Sequence, residues 1–294
     1  MTFDIGDGVD SAVNYILDNF APLLDFIAAA IGTVTNGIQA VLLAVPMPLG
    51  LAVFVLLSLW RVGFGFAAFT AASLWLVEHM GLWSAMMETL SLVLASTLVA
   101  MLIGLPLGIA MARSNRVAAV VRPVLDLMQT MPAFVYLIPA AMFFGLGAVP
   151  GTIATVIFSM PPVVRLTNLG IRQVHVEYIE AGNAFGCTAS QLLFKVQLPN
   201  AMPSIMAGIN QTIMLSLSMV VIASMIGAGG IGNTVLTGIQ RLDVGTGFEG
   251  GIAVVILAVI LDRITQSLGK ARTSLWSTVF RSRAQAPAAS TVTA

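Results

Sequence analysis

Long uncharged stretches separated by short charged ones form the main pattern along this chain. A helix that crosses a membrane needs about 20 consecutive, mostly apolar residues. Residues 89–112 satisfy this requirement once, and residues 127–164 are long enough to satisfy it twice, with a Gly/Pro-rich turn at 145–151 between the two helices. Two further spans are predicted at residues 202–226 and 247–264.

The first third of the chain is less regular. Residues 41–60 and 62–77 flank the single charge of Arg61 and are typical of a hairpin of two spans. Residues 13–24 and 26–45 carry several polar side chains, which favours external helices that lie along the membrane. The total is then seven spans. If residues 26–45 cross instead, there are eight spans and the N-terminus moves inside.

Composition supports a membrane protein. Of the 294 residues, 58% are hydrophobic and 9% are charged, whereas soluble domains carry about 25% charged residues. The formal net charge is zero, so nothing suggests a nucleic acid as a partner. One cysteine and two distant histidines provide no basis for a metal site or for a catalytic cluster.

The positions of the basic residues predict the orientation. Cytoplasmic loops of membrane proteins collect Lys and Arg, and the first 60 residues contain neither. With an external N-terminus and a cytoplasmic C-terminus, every Lys and Arg except Arg241 falls on the cytoplasmic side. We therefore expect an all-α, polytopic protein of the cell inner membrane.

These patterns divide the chain into four parts. Residues 1–45 form an external or interfacial segment, and residues 46–80 form the two-span hairpin. Residues 81–269 form the core membrane domain, which includes a cytoplasmic loop at 165–199. Residues 270–294 form a cytoplasmic tail.

The cytoplasmic loop carries the most specific pattern. A short helix is predicted over residues 177–185, in which Glu177 and Glu180 lie one turn apart and share a face. Small residues such as Gly182 leave this helix thin, and Gly186 permits a sharp exit from it. A thin, acidic helix between two spans is suited to fill a groove on a partner protein.

The spacing within this loop resembles the signature loop of the membrane subunits of type I ABC importers. The match consists of Glu180, Ala181 and Gly186, then nine residues, then Val196 in place of Ile, with Leu198 and Pro199 at the end. Gly182 stands where that family usually has Ala. The resemblance implies that Glu177, Glu180, Ala181, Gly182, Gly186, Leu198 and Pro199 belong to a coupling helix and its flank, which dock on an ATPase subunit.

Stretches 103–108, 125–134, 193–199 and 217–226 look very similar to permeases of the glycine betaine/proline betaine importers, and this resemblance covers about residues 46–269. It implies the MetI-like transmembrane fold of type I ABC importers. The implied partners are a second copy of the chain, two ATP-binding subunits and an external substrate-binding protein. Glycine betaine or proline betaine is the implied solute, with choline, carnitine and trimethylamine N-oxide left open.

No cofactor is expected in this chain itself. A phosphate-binding P-loop needs Gly-x4-Gly-Lys-Ser/Thr, and neither Lys195 nor Lys270 lies in that pattern. ATP and Mg²⁺ would therefore bind to the partner subunit, and this chain is not expected to be an enzyme.

Three polar or soft residues in the sixth span are candidates to line a pathway: Asn210, Gln211 and Met214. The amides are equally able to join helices by hydrogen bonds. Arg241 and Asp243, in an external loop, are candidates to contact the binding protein, although a solvated turn is the simpler interpretation.

Two other functional classes remain open from the sequence. A secondary transporter or channel usually has internal repeats and charges in the middle of the membrane. No internal repeat is evident in the sequence. No charge is expected in the middle of the membrane either, because Glu249 and Asp262 are predicted at the two ends of the last span. A membrane scaffold without a transport role would not need the specific spacing of the loop.

Overall fold

The computed structural model of the protein describes residues 5–269. In this range all regular structure is helical. The α-helices, in chain order, are α1 (Ile5–Ala44), α2 (Met47–Arg61), α3 (Phe64–His79), α4 (Trp83–Arg113), α5 (Asn115–Thr130), α6 (Leu137–Phe144), α7 (Ala148–Arg172), α8 (Val176–Ala184), α9 (Ala189–Leu192), α10 (Leu198–Ala223), α11 (Ile231–Arg241) and α12 (Val244–Gly269). This confirms the predicted all-α architecture.

The centre of the bundle is built from α4, α7 and α10, which approach one another closely at small residues. A Cβ atom on Gly108 of α4 would lie 2.8 Å from the carbonyl oxygen of Val164 in α7. A Cβ atom on Gly208 of α10 would lie 3.1 Å from the Cα atom of Val163. Small residues let helix backbones approach this closely. Inside a membrane the hydrophobic effect does not drive helices together, so close packing and its dispersion contacts stabilise the bundle instead.

A chain of buried hydroxyl groups joins the same three helices. The hydroxyl of Thr97 donates to that of Ser216 over 3.4 Å, and Ser216 donates to Ser159 over 2.9 Å. All three side chains are buried, so their polar atoms must be satisfied inside the protein. The hydroxyl chain therefore fixes the relative positions of α4, α7 and α10.

The number of helices that can cross a membrane differs from the predicted seven. Within residues 5–269, five stretches are long and apolar enough on their own, and a bent pair of helices makes a sixth. They are Val13–Ala44, Trp83–Arg113, Ala148–Arg172, Ala189–Ile226, Val244–Gly269 and the pair Asn115–Thr130 with Ala133–Phe144. The predicted hairpin is present as α2 and α3, but these have only 15 and 16 residues. Each is shorter than the usual span of about 20 residues.

The N-terminal segment also differs from the prediction of two separate external helices. Residues 5–44 form one continuous helix of 40 residues, with Pro22 inside it. Its hydroxyl-bearing residue Thr35 is buried against Thr152 at the start of α7, with 3.4 Å between the two hydroxyl oxygens. The polar residues that suggested a surface helix therefore include one that makes an interhelical contact.

The second half of the predicted pair of spans at 127–164 is a single helix, α7, but the first half is broken. The turn between them is confirmed at Gly145 and Gly147, which both have positive φ. Before it, the chain bends by 110° between α5 and α6 at Pro132. The hydroxyl of Tyr136 donates to the carbonyl of Met128 over 2.8 Å and so satisfies an acceptor that the break exposes.

Candidate functional site

The loop helix predicted from sequence is present as α8, and its exit has the predicted geometry. Gly186 has a φ of +74°, a conformation that favours glycine. The backbone N–H of Gly186 donates to Asn183 and that of Cys187 donates to Gly182, over 2.9 and 3.0 Å. This pair of bonds is a Schellman motif, which ends a helix and satisfies its last carbonyls.

Gly182 is the only buried residue of α8 and lies where α8 meets the next helix. A Cβ atom at this position would be 2.7 Å from the Cδ1 atom of Leu192, at the end of α9. The start of α9 is fixed by a capping box, in which Thr188 and Gln191 each bind the other's backbone N–H. The glycine in place of the usual alanine therefore allows α8 and α9 to pack tightly.

The end of the motif, at Leu198 and Pro199, follows a local change of helix type. Residues Leu193–Gln197 form a π-helical turn that joins α9 to α10 without a break. Pro199 has no N–H, but it lies in the first turn of α10, where a proline is tolerated. The side chain of Asn200 donates to the carbonyl of Val196 over 2.7 Å, which gives the π-helical turn a further bond to α10. One rigid helical unit therefore runs from the loop into the bundle.

The remaining surface of α8 is open. Glu177, Glu180 and Ala181 are exposed, as are two aromatic residues, Tyr178 and Phe185. Phe185 is 89% exposed and Tyr178 is 53% exposed. Neither residue was predicted to be functional, although two aromatics on a short polar helix and its C-cap, outside the spans, are a signal for a buried contact with a partner.

Arg172 connects the loop to the bundle. Its guanidinium donates to the carbonyl of Met111 over 2.7 Å and to the side chains of Asn115 and Asn168 over 2.8 and 2.9 Å. Met111 lies near the end of α4, and Arg172 is the last residue of α7, shortly before α8. We call this end of the bundle, where α4 and α7 finish and α10 begins, the coupling end.

The three pathway candidates on α10 have different environments. Asn210 donates to Asp262 of α12 over 3.0 Å and accepts a hydrogen bond from Thr265, so it joins two helices. Gln211 is exposed and Met214 is half-buried. Asn210 therefore fits the alternative interpretation, an amide that joins two helices by hydrogen bonds. Gln211 instead faces away from the rest of the chain.

The uncovered face of α10 differs from a face suited to lipid. It carries exposed Gln211 and Ser218, which lie about two turns apart along the helix. The uncovered face of α4, in contrast, consists of leucines: Leu94, Leu98 and Leu102. Polar side chains are costly against hydrocarbon, so the α10 face is better suited to a wet or protein-covered surface.

The end of the bundle opposite the coupling end is closed by glycine-rich turns. The backbone N–H of Gly230 donates to the carboxylate of Glu88 over 3.0 Å, and that of Ile231 donates to the hydroxyl of Thr89 over 2.8 Å. Gly147 donates to the carbonyl of Ile226 over 2.9 Å. Glu88 is thus a carboxylate that holds a loop to α4, a role that the sequence alone did not indicate.

Arg241 and Asp243 lie at the short turn between α11 and α12, and both are exposed. The carboxylate of Asp243 accepts hydrogen bonds from the backbone N–H and the hydroxyl of Thr246, over 3.2 and 2.8 Å. These bonds, that of the hydroxyl first, lower the pKa of Asp243 below its usual value. Asp243 is therefore the N-cap of α12, whereas Arg241 remains on the surface.

The capping role predicts the effect of two substitutions. We expect Asp243→Ala to lower the melting temperature of the detergent-solubilised protein by about 2–4 °C, because one helix cap is lost. Asp243→Asn should keep the melting temperature at neutral pH, since an amide oxygen also accepts the N–H bond. Because the folded-state pKa is lowered, the contribution of the carboxylate should be present at neutral pH and disappear as the pH falls below about 4. Equal melting temperatures for the Ala and Asn variants would contradict this role.

Comparison with known proteins places these features in a family. Residues 104–273 match the family described as the binding-protein-dependent transport system inner membrane component. The chain belongs to this family. It is 51% identical over 263 residues to the glycine betaine/proline betaine transport system permease of Escherichia coli (strain K12), a match that covers 89% of this chain and 74% of that protein.

Two further relatives have similar identity. The glycine betaine transport system permease of Bacillus subtilis (strain 168) is 48% identical, over 90% of this chain and 94% of that protein. The glycine betaine/carnitine transport permease of Listeria monocytogenes serotype 1/2a (strain 10403S) is 51% identical, over 92% and 96%. Among solved structures, the inward-facing MetNI methionine ABC transporter matches with a TM-score of 0.56 and 22% identity, over 68% of this chain and 95% of that chain.

Family membership confirms several expectations. This protein is a permease component of a binding-protein-dependent importer of the inner membrane, and it has the type I ABC importer fold. The secondary-transporter and scaffold alternatives are not supported. The roles assigned to individual residues of the coupling loop, α10 and the α11–α12 turn stay predictions.

Proposed function

We propose that this permease carries a small solute with a quaternary or trimethylated ammonium group across the inner membrane, driven by ATP. Glycine betaine and proline betaine are the first candidates, because permeases named for them are about half identical to this chain over nine-tenths of its length. Carnitine, choline and trimethylamine N-oxide are further candidates, since they too appear in the names of relatives.

The observation that carries the ATP-driven part is the exposed surface of α8. Phe185 and Tyr178 are apolar anchors, and Glu177 and Glu180 supply charges beside them on one short helix. Interfaces are dominated by buried aromatic anchors with polar residues at the rim. We assign this surface as the coupling contact, with Ala181 facing the partner and Gly182, Gly186, Leu198 and Pro199 fixing its shape.

ATP and Mg²⁺ then bind to two ATP-binding subunits, because the chain has no P-loop of its own. Closure of those subunits would displace α8. The rigid unit from α9 to α10 and the Arg172 contacts to α4 would pass that displacement into the bundle. An external binding protein delivers the solute, and Arg241 remains a candidate for contact with it.

A second copy of this chain would cover the polar face of α10. Gln211 and Ser218 would then border a pathway between the two copies instead of lipid, and Met214 would lie beside them. This arrangement removes the cost of polar side chains against hydrocarbon. A homodimer would thus cover the polar face of α10.

The proposed topology keeps the N-terminus outside and the C-terminus in the cytoplasm. Seven crossings then require the α2–α3 hairpin to cross in spite of its short helices, which a locally thinner bilayer permits. Exposed apolar residues on both helices, including Val53, Leu56 and Phe69, favour contact with lipid. In this arrangement α1 lies along the membrane, with Gly32 against Val149 at the start of α7. Because Val13–Ala44 is itself long and apolar enough to cross, the alternative is eight spans with the N-terminus inside.

Reconstitution tests the proposal. The permease, purified with its ATP-binding subunit, is placed in vesicles together with the binding protein, and uptake of labelled glycine betaine is measured with and without ATP. We expect uptake that requires ATP and the binding protein. Uptake by the permease alone, driven by an ion gradient, would instead establish a secondary transporter.

A further inference from the structure

The sequence placed Asp262 at the end of the last span, and the structure places it inside. Helix α12 continues beyond Asp262 to Gly269, which is about two further turns. Its hydrogen-bond partner Asn210 lies near the midpoint of α10, about 18 Å along the helix from Leu198 at 1.5 Å per residue. Asp262 is therefore a carboxylate inside the helix bundle, on a helix that is long and apolar enough to cross a membrane.

Among the described residues, Asp262 has hydrogen-bond donors around it but no ion-pair partner. The amide of Asn210 donates to one oxygen over 3.0 Å, and the amide of Gln266 donates to both oxygens over 2.8 Å. Within residues 5–269, the one ion pair joins Arg165 to Asp126 on other helices. Neutral donors hold the carboxylate in place, and no residue within 5–269 supplies it with an ion-pair partner. Such charges inside membranes are costly and usually functional.

A cavity of about 410 Å³ lies beside this carboxylate. Its polar wall consists of Asn210, Thr265 and Gln266. Asn210 and Gln266 donate hydrogen bonds to Asp262, and Thr265 donates to Asn210. Pro203, Met206 and Ala207 of α10 form an apolar wall. The volume is ample for a small solute. The lining itself is uncharged, and the carboxylate of Asp262 lies one hydrogen bond behind it, held by the amides of Asn210 and Gln266.

We propose that this cavity is a transit site for the methylated ammonium group of the solute, a proposal that rests on the function proposed above. A quaternary ammonium has no N–H group to donate, so it is held by charge attraction and by contact between its methyl groups and apolar side chains. The described residues that line the cavity include no aromatic ring. The site therefore lacks the cation–π contacts of a tight cage, and weak binding is what a site on a conduction pathway needs, because the solute must leave again.

Charge-selective labelling tests the site without relying on transport. In the assembled complex, Ala207 is changed to Cys in a Cys187→Ser background. The rates of modification by a trimethylammonium methanethiosulfonate and by a sulfonate analogue of similar size are then compared. We expect the cationic reagent to react at least about tenfold faster, because Ala207 lies one turn from Asn210 and its carboxylate partner.

The variant Asp262→Asn should bring the two rates close to parity, whereas Asp262→Glu should keep the preference. Glu249→Gln is the matched control, since it removes an exposed carboxylate from the same helix, and it should leave the preference unchanged. Tetramethylammonium chloride should slow the cationic reagent in the Asp262 protein more than sodium chloride at the same ionic strength. A preference unaffected by Asp262→Asn, or equal effects of the two salts, would overturn the proposal.

The same preparation separates this inference from the proposed function. ATP-dependent uptake by the unmodified complex with no charge preference at Ala207→Cys would refute the transit site and leave the importer function intact. Loss of ATP dependence in the unmodified complex would refute the function itself.

Discussion

Replacing Phe185 with Ala should abolish most transport while leaving the folded protein intact. The side chain is 89% exposed, so its removal takes away almost no contact within the chain. A buried aromatic anchor in an interface contributes about 2 kcal/mol or more, which corresponds to about a 30-fold loss of affinity for the ATP-binding subunit. We therefore expect about tenfold or greater loss of ATP-dependent uptake, measured in vesicles, with an unchanged melting temperature.

Leu242→Ala is the matched control for this experiment. Leu242 is also 89% exposed, but it lies in the turn between α11 and α12, away from the coupling end. It should leave co-purification of the ATP-binding subunit unchanged, which is the readout that compares the two variants. If the Phe185 variant retains the subunit in equal amount and transports normally, α8 does not dock through this residue, and the coupling contact must lie elsewhere.

Local patterns predicted the coupling loop because its geometry depends on neighbours in sequence. Gly186 ends α8 through bonds to residues within five positions, and Thr188 caps α9 through Gln191. The exposure of Phe185 depends instead on how α8 lies against α9. A hydrophobic pattern cannot distinguish an apolar residue that faces its own core from one that awaits a partner.

The bend at Pro132 and the position of Asp262 show where sequence patterns fail. Residues 127–144 are uncharged and satisfy a span by composition, yet a 110° bend divides them. Pro132 marks a possible break but does not set its angle, which follows from packing and from the bond between Tyr136 and Met128. The hydrogen bond from Asn210 to Asp262 joins two helices that are distant in sequence, so no local pattern could predict this partner.

Helices α11 and α12 approach closely at Gly238, and Gly238→Ala should destabilise the protein strongly. A Cβ atom at Gly238 would lie 2.5 Å from the backbone N and 2.6 Å from the Cα of Gly247. Backbone atoms cannot rotate away as a side chain can, so the two helices must separate. Overpacking of this kind costs about 1–3 kcal/mol, and the melting temperature in detergent should fall by about 5 °C.

Gly247→Ala, on the other side of the same contact, should behave differently. A Cβ atom on Gly247 meets nothing closer than 3.8 Å, which is ordinary van der Waals contact. Alanine is favoured over glycine in a helix by up to about 1 kcal/mol, so Gly247→Ala should be neutral or slightly stabilising. The Gly238→Ala and Gly247→Ala variants add the same methyl group at neighbouring Cα positions and differ only in the direction in which it points. Comparing their melting temperatures therefore separates the effect of direction from that of added volume. Equal losses of stability in both variants would show that the contact tolerates no added volume on either side and that the direction of the methyl group does not decide the effect.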